Sequence, residues 1–475
     1  MHLRDDTSLS AEERDVLATY PEYEQTRVCD ELRASEYWRL DATHHVYLDY
    51  TGGGLYAESQ LQAHLSLLGG RVFGNPHSAN LASQAMTDLV ESTREHVLDY
   101  FRAPRDEYVA IFTPNATGAL KLVGEAFPFE RDDQLLLTWD NHNSVNGLRE
   151  FARARGARVS YVPLRAPELR VDQERLEQAF RRRRTGGHNL FAYPAQSNFT
   201  GVQHPSWWIE HAHEQGWQVL LDAASFVPTN RLDLSLVKPD FVSISFYKML
   251  GYPTGVGCLL ARQEALRQLE RPWYAGGTIT FSSVQGEGHY LTPGAPGFED
   301  GTVNYLSIPA VSLGLDLLER VGIDTIHTRV MCLTEWLLDR LAELRHRNGV
   351  PLVQVYGPWD GRARGATVQF NLLDWQGQLL DGYGVEARAN ARNISLRTGC
   401  HCNPGAREMA LGFTEDELVE CFKDKERLSY QDFVRLIQGK TTGAVRASLG
   451  IVSNVRDVAA LLRLLDSYLE PATLH

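Results

Sequence analysis

A lysine, an aspartate, a helix-opening threonine segment and a pair of cysteines carry the chemistry this sequence offers. Lys248 ends the run Asp240-Phe241-Val242-Ser243-Ile244-Ser245-Phe246-Tyr247-Lys248, and Gly251, Pro253, Gly255 and Gly257 follow it. A strand pattern thus delivers one lysine into a Gly/Pro-rich turn. Such a lysine forms a Schiff base if burial lowers its pKa, and is a solvated surface group otherwise. Asp222 closes the apolar run Leu220-Leu221-Asp222. A carboxylate there is costly to bury unless it meets a cation or a donor; a protonated pyridinium nitrogen would serve, and a capping Asp in a loop is the plain alternative. Thr113-Pro114-Asn115-Ala116-Thr117-Gly118 follows a strand pattern and opens a helical one. Free N–H groups and a hydroxyl at a helix start suit a phosphate, and also suit an ordinary N-cap. Cys400 and Cys402 flank His401 in Arg397-Thr398-Gly399-Cys400-His401-Cys402-Asn403-Pro404-Gly405. A thiolate is a nucleophile when exposed and of lowered pKa, whereas a buried cysteine is a small hydrophobe. A Cys-His-Cys metal clip would lack the usual spacing and a second ligand cluster, so no metal is expected.

The elements that must position these groups are legible as texture. Near-continuous apolar runs at 108–112, 134–138, 158–162, 190–193, 218–221, 241–245 and 256–260 read as strands covered on both faces. Helical patterns such as 173–184 and 207–215 lie between several of them, which predicts a mainly parallel α/β sheet. A long helical stretch over 308–346 leads toward a second unit, with strands at 367–372 and 394–397 and a closing helix at 455–468 capped by Asn454. The polar clusters fall at the strand ends, where open α/β sheets bind ligands.

The chain has 475 residues, and 47 Lys+Arg against 60 Asp+Glu give a net charge of −13. That balance argues against phosphate-neutralising contacts with nucleic acid and against an anionic membrane surface. With 43% hydrophobic and 23% charged residues the composition is that of a globular chain. The polar start shows no signal-peptide pattern, no apolar run reaches the ~20 residues of a membrane span, and six cysteines show no disulfide framework. The expectation is a cytoplasmic protein of a reducing compartment, with no membrane and no nucleic-acid partner.

The order of phosphate loop, aspartate and lysine, with Ser245 three residues before Lys248 and His142 in Asp140-Asn141-His142-Asn143-Ser144, resembles class V pyridoxal-phosphate (PLP) enzymes of fold-type I. Arg397-Thr398-Gly399-x-x-Cys402 is similar to the cysteine motif of one group of cysteine desulfurases. The longer form through Asn403-Pro404-Gly405, with 442–450, 245–255 and 74–78, resembles the NifS-like domain of molybdenum cofactor sulfurases. The resemblance runs from about residue 47 to residue 468.

It implies an α/β fold: a helical arm (1–45), a large PLP-binding domain with a mainly parallel seven-stranded sheet (46–310) and a small C-terminal α+β domain with the cysteine loop (311–475). In its terms Lys248 holds PLP covalently and moves the proton at the substrate α-carbon. Asp222 keeps the ring nitrogen protonated, and His142 stacks on the ring. Thr117, the Gly118 amide and Ser245 bind the phosphate. Ser225 bonds the ring oxygen, and Asn198 lies near substrate and ring oxygen. Arg446 takes the α-carboxylate, with Arg397 as second candidate. Cys402 attacks the sulfur of bound L-cysteine, keeps it as a persulfide and leaves alanine; Cys400, ranked second, protects, resolves or relays that persulfide. Gly276-Gly277-Thr278 resembles a segment that reaches a neighbouring subunit's phosphate, which implies a homodimer.

Two departures matter. Arg407 stands where such sulfurases commonly carry a further cysteine, and the sequence stops at His475 soon after the closing helix, so no full acceptor-binding domain is expected within it. The sulfur acceptor stays open: a protein, a small molecule, or molybdenum cofactor held elsewhere. Rival readings are another class V enzyme, a C–S lyase, epimerase or aminotransferase, and a non-catalytic scaffold on the same fold.

Overall fold

A computed structural model describes residues 9–422 and 443–469. The first eight residues and Thr442 of the 442–450 motif lie outside them. The chain opens with α1 (Ala11–Thr19) and α2 (Val28–Glu36), then a short strand β1 (Val46–Tyr47), α3 (Glu58–Gly69) and α4 (Leu81–Tyr100). Next come β2 (Tyr108–Thr113), α5 (Ala116–Ala126), β3 (Gln134–Thr138), β4 (Arg158–Val162), β5 (Asn189–Pro194), β6 (Gln218–Asp222) and β7 (Phe241–Ser245). The turn of helix α6 (Phe246–Leu250) and strand β8 (Gly257–Arg262) complete the run.

These seven strands form one sheet in the order β2-β8-β7-β6-β5-β3-β4. Only β8 runs antiparallel to its neighbours. Every residue of β3, β5 and β7 is buried, which is why these strands read as unbroken apolar runs. The predicted run at 256–260 lies one residue early at its start; the other six lie within observed strands. Because all but β8 point the same way, the segments after β2, β3, β5, β6 and β7 meet at one edge. They carry Thr117, His142, Asn198, Ser225 and Lys248.

The expected 308–346 helix is two helices, α7 (Ile308–Val321) and α8 (Ile323–Glu343). Gly322, at φ +85°, separates them, a backbone region that favours glycine over residues with a side chain. The apolar cores change over inside α8: Ile323 and Ile326 pack with the large sheet, Val330 and Leu333 with the second unit. That unit holds β9 (Val353–Tyr356), β10 (Thr367–Leu372), β11 (Arg397–Gly399), α9 (Pro404–Leu411), β12 (Ala444–Ser448) and α10 (Val455–Asp466). Its sheet is antiparallel, in the order β9-β10-β12-β11. The predicted strand at 394–397 is divided: Ile394–Ser395 pairs with β1, and Arg397 begins β11. Asn454 and Asp457 form a reciprocal capping box, each side chain bonding the other's N–H at 3.1 Å.

The arm joins both units. Val16 and Tyr23 pack into the second core, Cys29, Tyr37 and Leu40 into the first. Arg33 donates to Asp457 at 2.6 Å and to the Val452 carbonyl at 2.8 Å, and Arg329 donates to the Ser453 carbonyl at 2.9 Å.

Candidate functional site

The site grows from the start of α5. Asn115 is its N-cap, and Asn115 Oδ1 accepts the Gly118 N–H at 2.9 Å. The Gly118 amide, read from the sequence as a phosphate donor, is met in this structure by a short amide side chain three residues upstream. Gly118 borders a neighbouring cavity with Lys121, Gly255 and Asn304, not the one that contains Lys248. A Cβ at Gly118 would lie 3.1 Å from Pro114 Cδ, so close packing explains the glycine. Thr117 remains on the rim of the Lys248 cavity, its hydroxyl 2.8 Å from Ser144 Oγ. Ser245 Oγ accepts the Ala116 N–H at 3.0 Å and keeps its own proton to donate.

Asp222 ends β6 opposite Ser243 of β7. Its Oδ1 accepts from Ser243 Oγ at 2.9 Å and from the Ala224 N–H at 3.1 Å. Among the described residues no hydrogen bond reaches Oδ2, and Asp222 lines the cavity together with Lys248, His142, Thr117, Asn198, Ser225 and Ser245. The carboxylate is thus fixed at one oxygen and available at the other. Burial holds the Lys248 ammonium below the ordinary lysine range, against the pull of Asp222. Burial likewise lowers the His142 imidazole. His142 Nδ1 accepts the Ser144 N–H at 3.1 Å, so the neutral ring carries its proton on Nε2.

Cys402 sits on a loop that docks onto this edge. His401 and Cys402 are both left-handed, at φ +52° and +55°, a conformation that non-glycine residues keep only where the surroundings hold it. Four hydrogen bonds do so. Asn143 N–H donates to the Cys402 carbonyl at 2.7 Å. Asn198 Nδ2 donates to the His401 carbonyl at 2.7 Å. Asn403 Nδ2 donates to the Asp140 carbonyl at 2.7 Å and to Asn198 Oδ1 at 3.0 Å. Asn198, read from the sequence as a substrate contact, is at the same time the post that holds the cysteine loop. Cys402 is exposed and Cys400 half-buried. His401 is buried, and burial pushes its pKa down to about 2. Among the described residues, Cys400, His401 and Cys402 do not converge as a metal-ligand set.

Arg446 lies on β12, directly across from Arg397 of β11 and Gln369 of β10. Its side chain is 2% exposed. Its Nη2 donates to Asp49 Oδ1 at 2.7 Å and Nη1 to the Asn198 carbonyl at 3.0 Å. Arg397 is half-exposed, with Nη1 3.9 Å from Asp49 Oδ2. Sequence reasoning missed Asp49, Asn403 and Gln369. Asp49 had a signal: like Asp222 it is a carboxylate that closes a short apolar run, here Val46-Tyr47-Leu48. Ser225 lines the cavity and is half-buried. Gly276-Gly277-Thr278 does not line it; the Thr278 hydroxyl donates to the Ala275 carbonyl at 2.8 Å within its own turn.

The chain is 38% identical over 455 residues to the molybdenum cofactor sulfurase of Homo sapiens, an alignment covering 91% of this chain and 50% of that protein. It is 35% identical over 475 residues to the molybdenum cofactor sulfurase of Solanum lycopersicum, covering 92% and 57%. The chain thus spans about half the length of the curated relatives it matches. Among solved structures it is similar to the cysteine desulfurase from Thermococcus onnurineus NA1, with TM-score 0.76, 25% identity, and 93% and 98% of the two chains covered. The cysteine desulfurase CsdA from Escherichia coli shares the fold at TM-score 0.72 and 21% identity, covering 93% and 98%. So does the cystine C–S lyase C-DES, at TM-score 0.68 and 19% identity, covering 89% and 97%. The aminotransferase class-V model matches residues 46–461, most of the chain, and the chain belongs to that family.

Proposed function

We propose that this chain is a PLP-dependent cysteine desulfurase unit of the molybdenum cofactor sulfurase type, taking sulfur from L-cysteine. The residues present fit the cofactor: the open Oδ2 of Asp222 suits a protonated ring nitrogen, the neutral His142 suits a stacked ring, and Thr117 and Ser245 offer hydroxyls at a helix start. When bound, the cofactor supplies a ring that takes up electrons from the substrate α-carbon. Lys248, whose pKa burial lowers from the ordinary lysine range, anchors it and moves the proton at that carbon. Ser225 supports the ring oxygen, and Arg446 with Arg397 orients the α-carboxylate. The Cys402 thiolate attacks the substrate sulfur: an S–S bond forms on Cys402, the substrate C–S bond breaks, and the carbon left behind gains a proton to give alanine.

The observation that carries this reading is the docking of the Cys402 loop. An exposed thiol stands on a backbone bonded directly to Asn198, which lines the Lys248 cavity. The persulfide then passes to an acceptor, a protein or a small molecule. We further propose a cytoplasmic homodimer. Exposed Trp273, Tyr274, Phe281, Val284 and Tyr290 support a second copy, and sedimentation at micromolar concentration tests it.

The deciding experiment is product analysis with L-cysteine. The expected products are alanine and a Cys402-bound sulfur, both abolished by Cys402→Ala. Pyruvate and ammonia, or undiminished turnover in Cys402→Ala, would replace this reading with a C–S lyase.

A further inference from the structure

Arg446 already holds a carboxylate. Asp49 Oδ1 occupies its Nη2 at 2.7 Å, and Asp49 Oδ2 faces Arg397 Nη1 at 3.9 Å. The two arginines are direct cross-strand partners, so their side chains leave the same face of the sheet. Asp49 lies between them, tight to one and loose to the other. The turn after it is built around that carboxylate: a Cβ on Gly52 would lie 2.4 Å from Asp49 Oδ2. Arg446 also holds the carbonyl of Asn198, a lining residue of the Lys248 cavity. This acid–base pair is therefore one hydrogen bond from the cavity lining, and among the described residues Arg446 Nε has no hydrogen-bond partner.

A buried guanidinium without a counter-ion is costly. Asp49 removes that cost in the free protein and keeps the fork charged and aimed. An incoming α-carboxylate needs the same donors. It meets the half-exposed Arg397 first, where Asp49 is held loosely, and then competes for Arg446.

We propose that Asp49 is an internal stand-in for the substrate carboxylate, yielding its place between Arg446 and Arg397 when an amino acid binds and so setting the affinity for amino-acid substrates. This rests on the reading of the cavity as an amino-acid site, but not on sulfur transfer. The test compares L-alanine with ethylamine, which differ by the carboxylate alone. Each is titrated into the PLP-loaded protein by calorimetry and by the cofactor's visible absorbance. Asp49→Asn keeps the shape and removes the competing charge, and should tighten L-alanine about tenfold. Asp49→Glu pushes a carboxylate further forward, and should weaken L-alanine by a similar factor. Ethylamine should stay within about twofold in both. Damage to the site would weaken L-alanine in both variants, so the opposite signs are the signature. L-alanine binding Asp49→Asn no more tightly than the native chain would overturn the proposal. Neither titration needs turnover of L-cysteine, so failure of desulfuration would leave this result standing.

Discussion

Asn403 donates from one side-chain nitrogen to Asn198 Oδ1 at 3.0 Å and to the Asp140 carbonyl at 2.7 Å, which ties the Cys402 loop to two strand ends of the large sheet. Aspartate at this position has the same size, cannot make either donation when ionised, and adds a buried charge. Asn403→Asp should lower alanine formation from L-cysteine between about ten- and a hundredfold by displacing the thiol. The visible absorbance of bound PLP should be unchanged, because no Asn403 atom lines that cavity. Single-turnover alanine formation measured beside the absorbance separates a displaced thiol from a damaged cofactor site.

Ser243 is the hydroxyl that fixes Asp222 Oδ1, at 2.9 Å. A hydrogen bond to a charged group is worth about 1.5–3 kcal/mol. Ser243→Ala frees the carboxylate to rotate and should weaken PLP binding by about tenfold or more. Asp222→Asn removes the charge and should cost more, with altered cofactor absorbance. Equilibrium titration of PLP into the cofactor-free variants ranks the two; native affinity in Ser243→Ala would show that Asp222 needs no such support.

The large sheet was legible because its strands are buried on both faces, so a continuous apolar run marks each one, and because a parallel sheet gathers its strand ends. Lys248, Asp222, His142 and Thr117 come together for that reason. The contacts that set the cysteine loop were not legible. Asn403 meets Asn198 across 205 residues and Arg446 meets Asp49 across 397, and no local pattern encodes partners at that distance. Nor did the sequence reading include the Asn115 side chain folding back onto the Gly118 amide. A strand over 394–397 was divided because its two halves pair with different sheets, which composition does not reveal.

Arg33 and Asp457 form a buried ion pair at 2.6 Å, with side chains 6% and 3% exposed. Removing one partner strands the other charge. Arg33→Ala should therefore destabilise the fold by about 3–5 kcal/mol. Denaturant unfolding measures the loss. PLP absorbance of the folded fraction should be native, because neither residue lines the cavity.

His401 makes stability fall in acid. Burial first, then Arg446 and Arg397, push its imidazole down to about 2, whereas an unfolded histidine titrates near ~6.5. Between those values the unfolded chain binds the extra proton and the native one does not. Stability therefore rises with pH across that window. The contribution is complete above about pH 6.5 and is lost as the pH falls below it, by at most about 1.4 kcal/mol per pH unit. His401→Phe keeps a ring beside Phe199, whose centroid lies 5.8 Å away, and removes the titrating group. Between about pH 7.5 and about pH 5 the native chain should lose more denaturant stability than the variant, by an amount approaching that slope over the acid part of the range. Equal losses would place the acid sensitivity elsewhere.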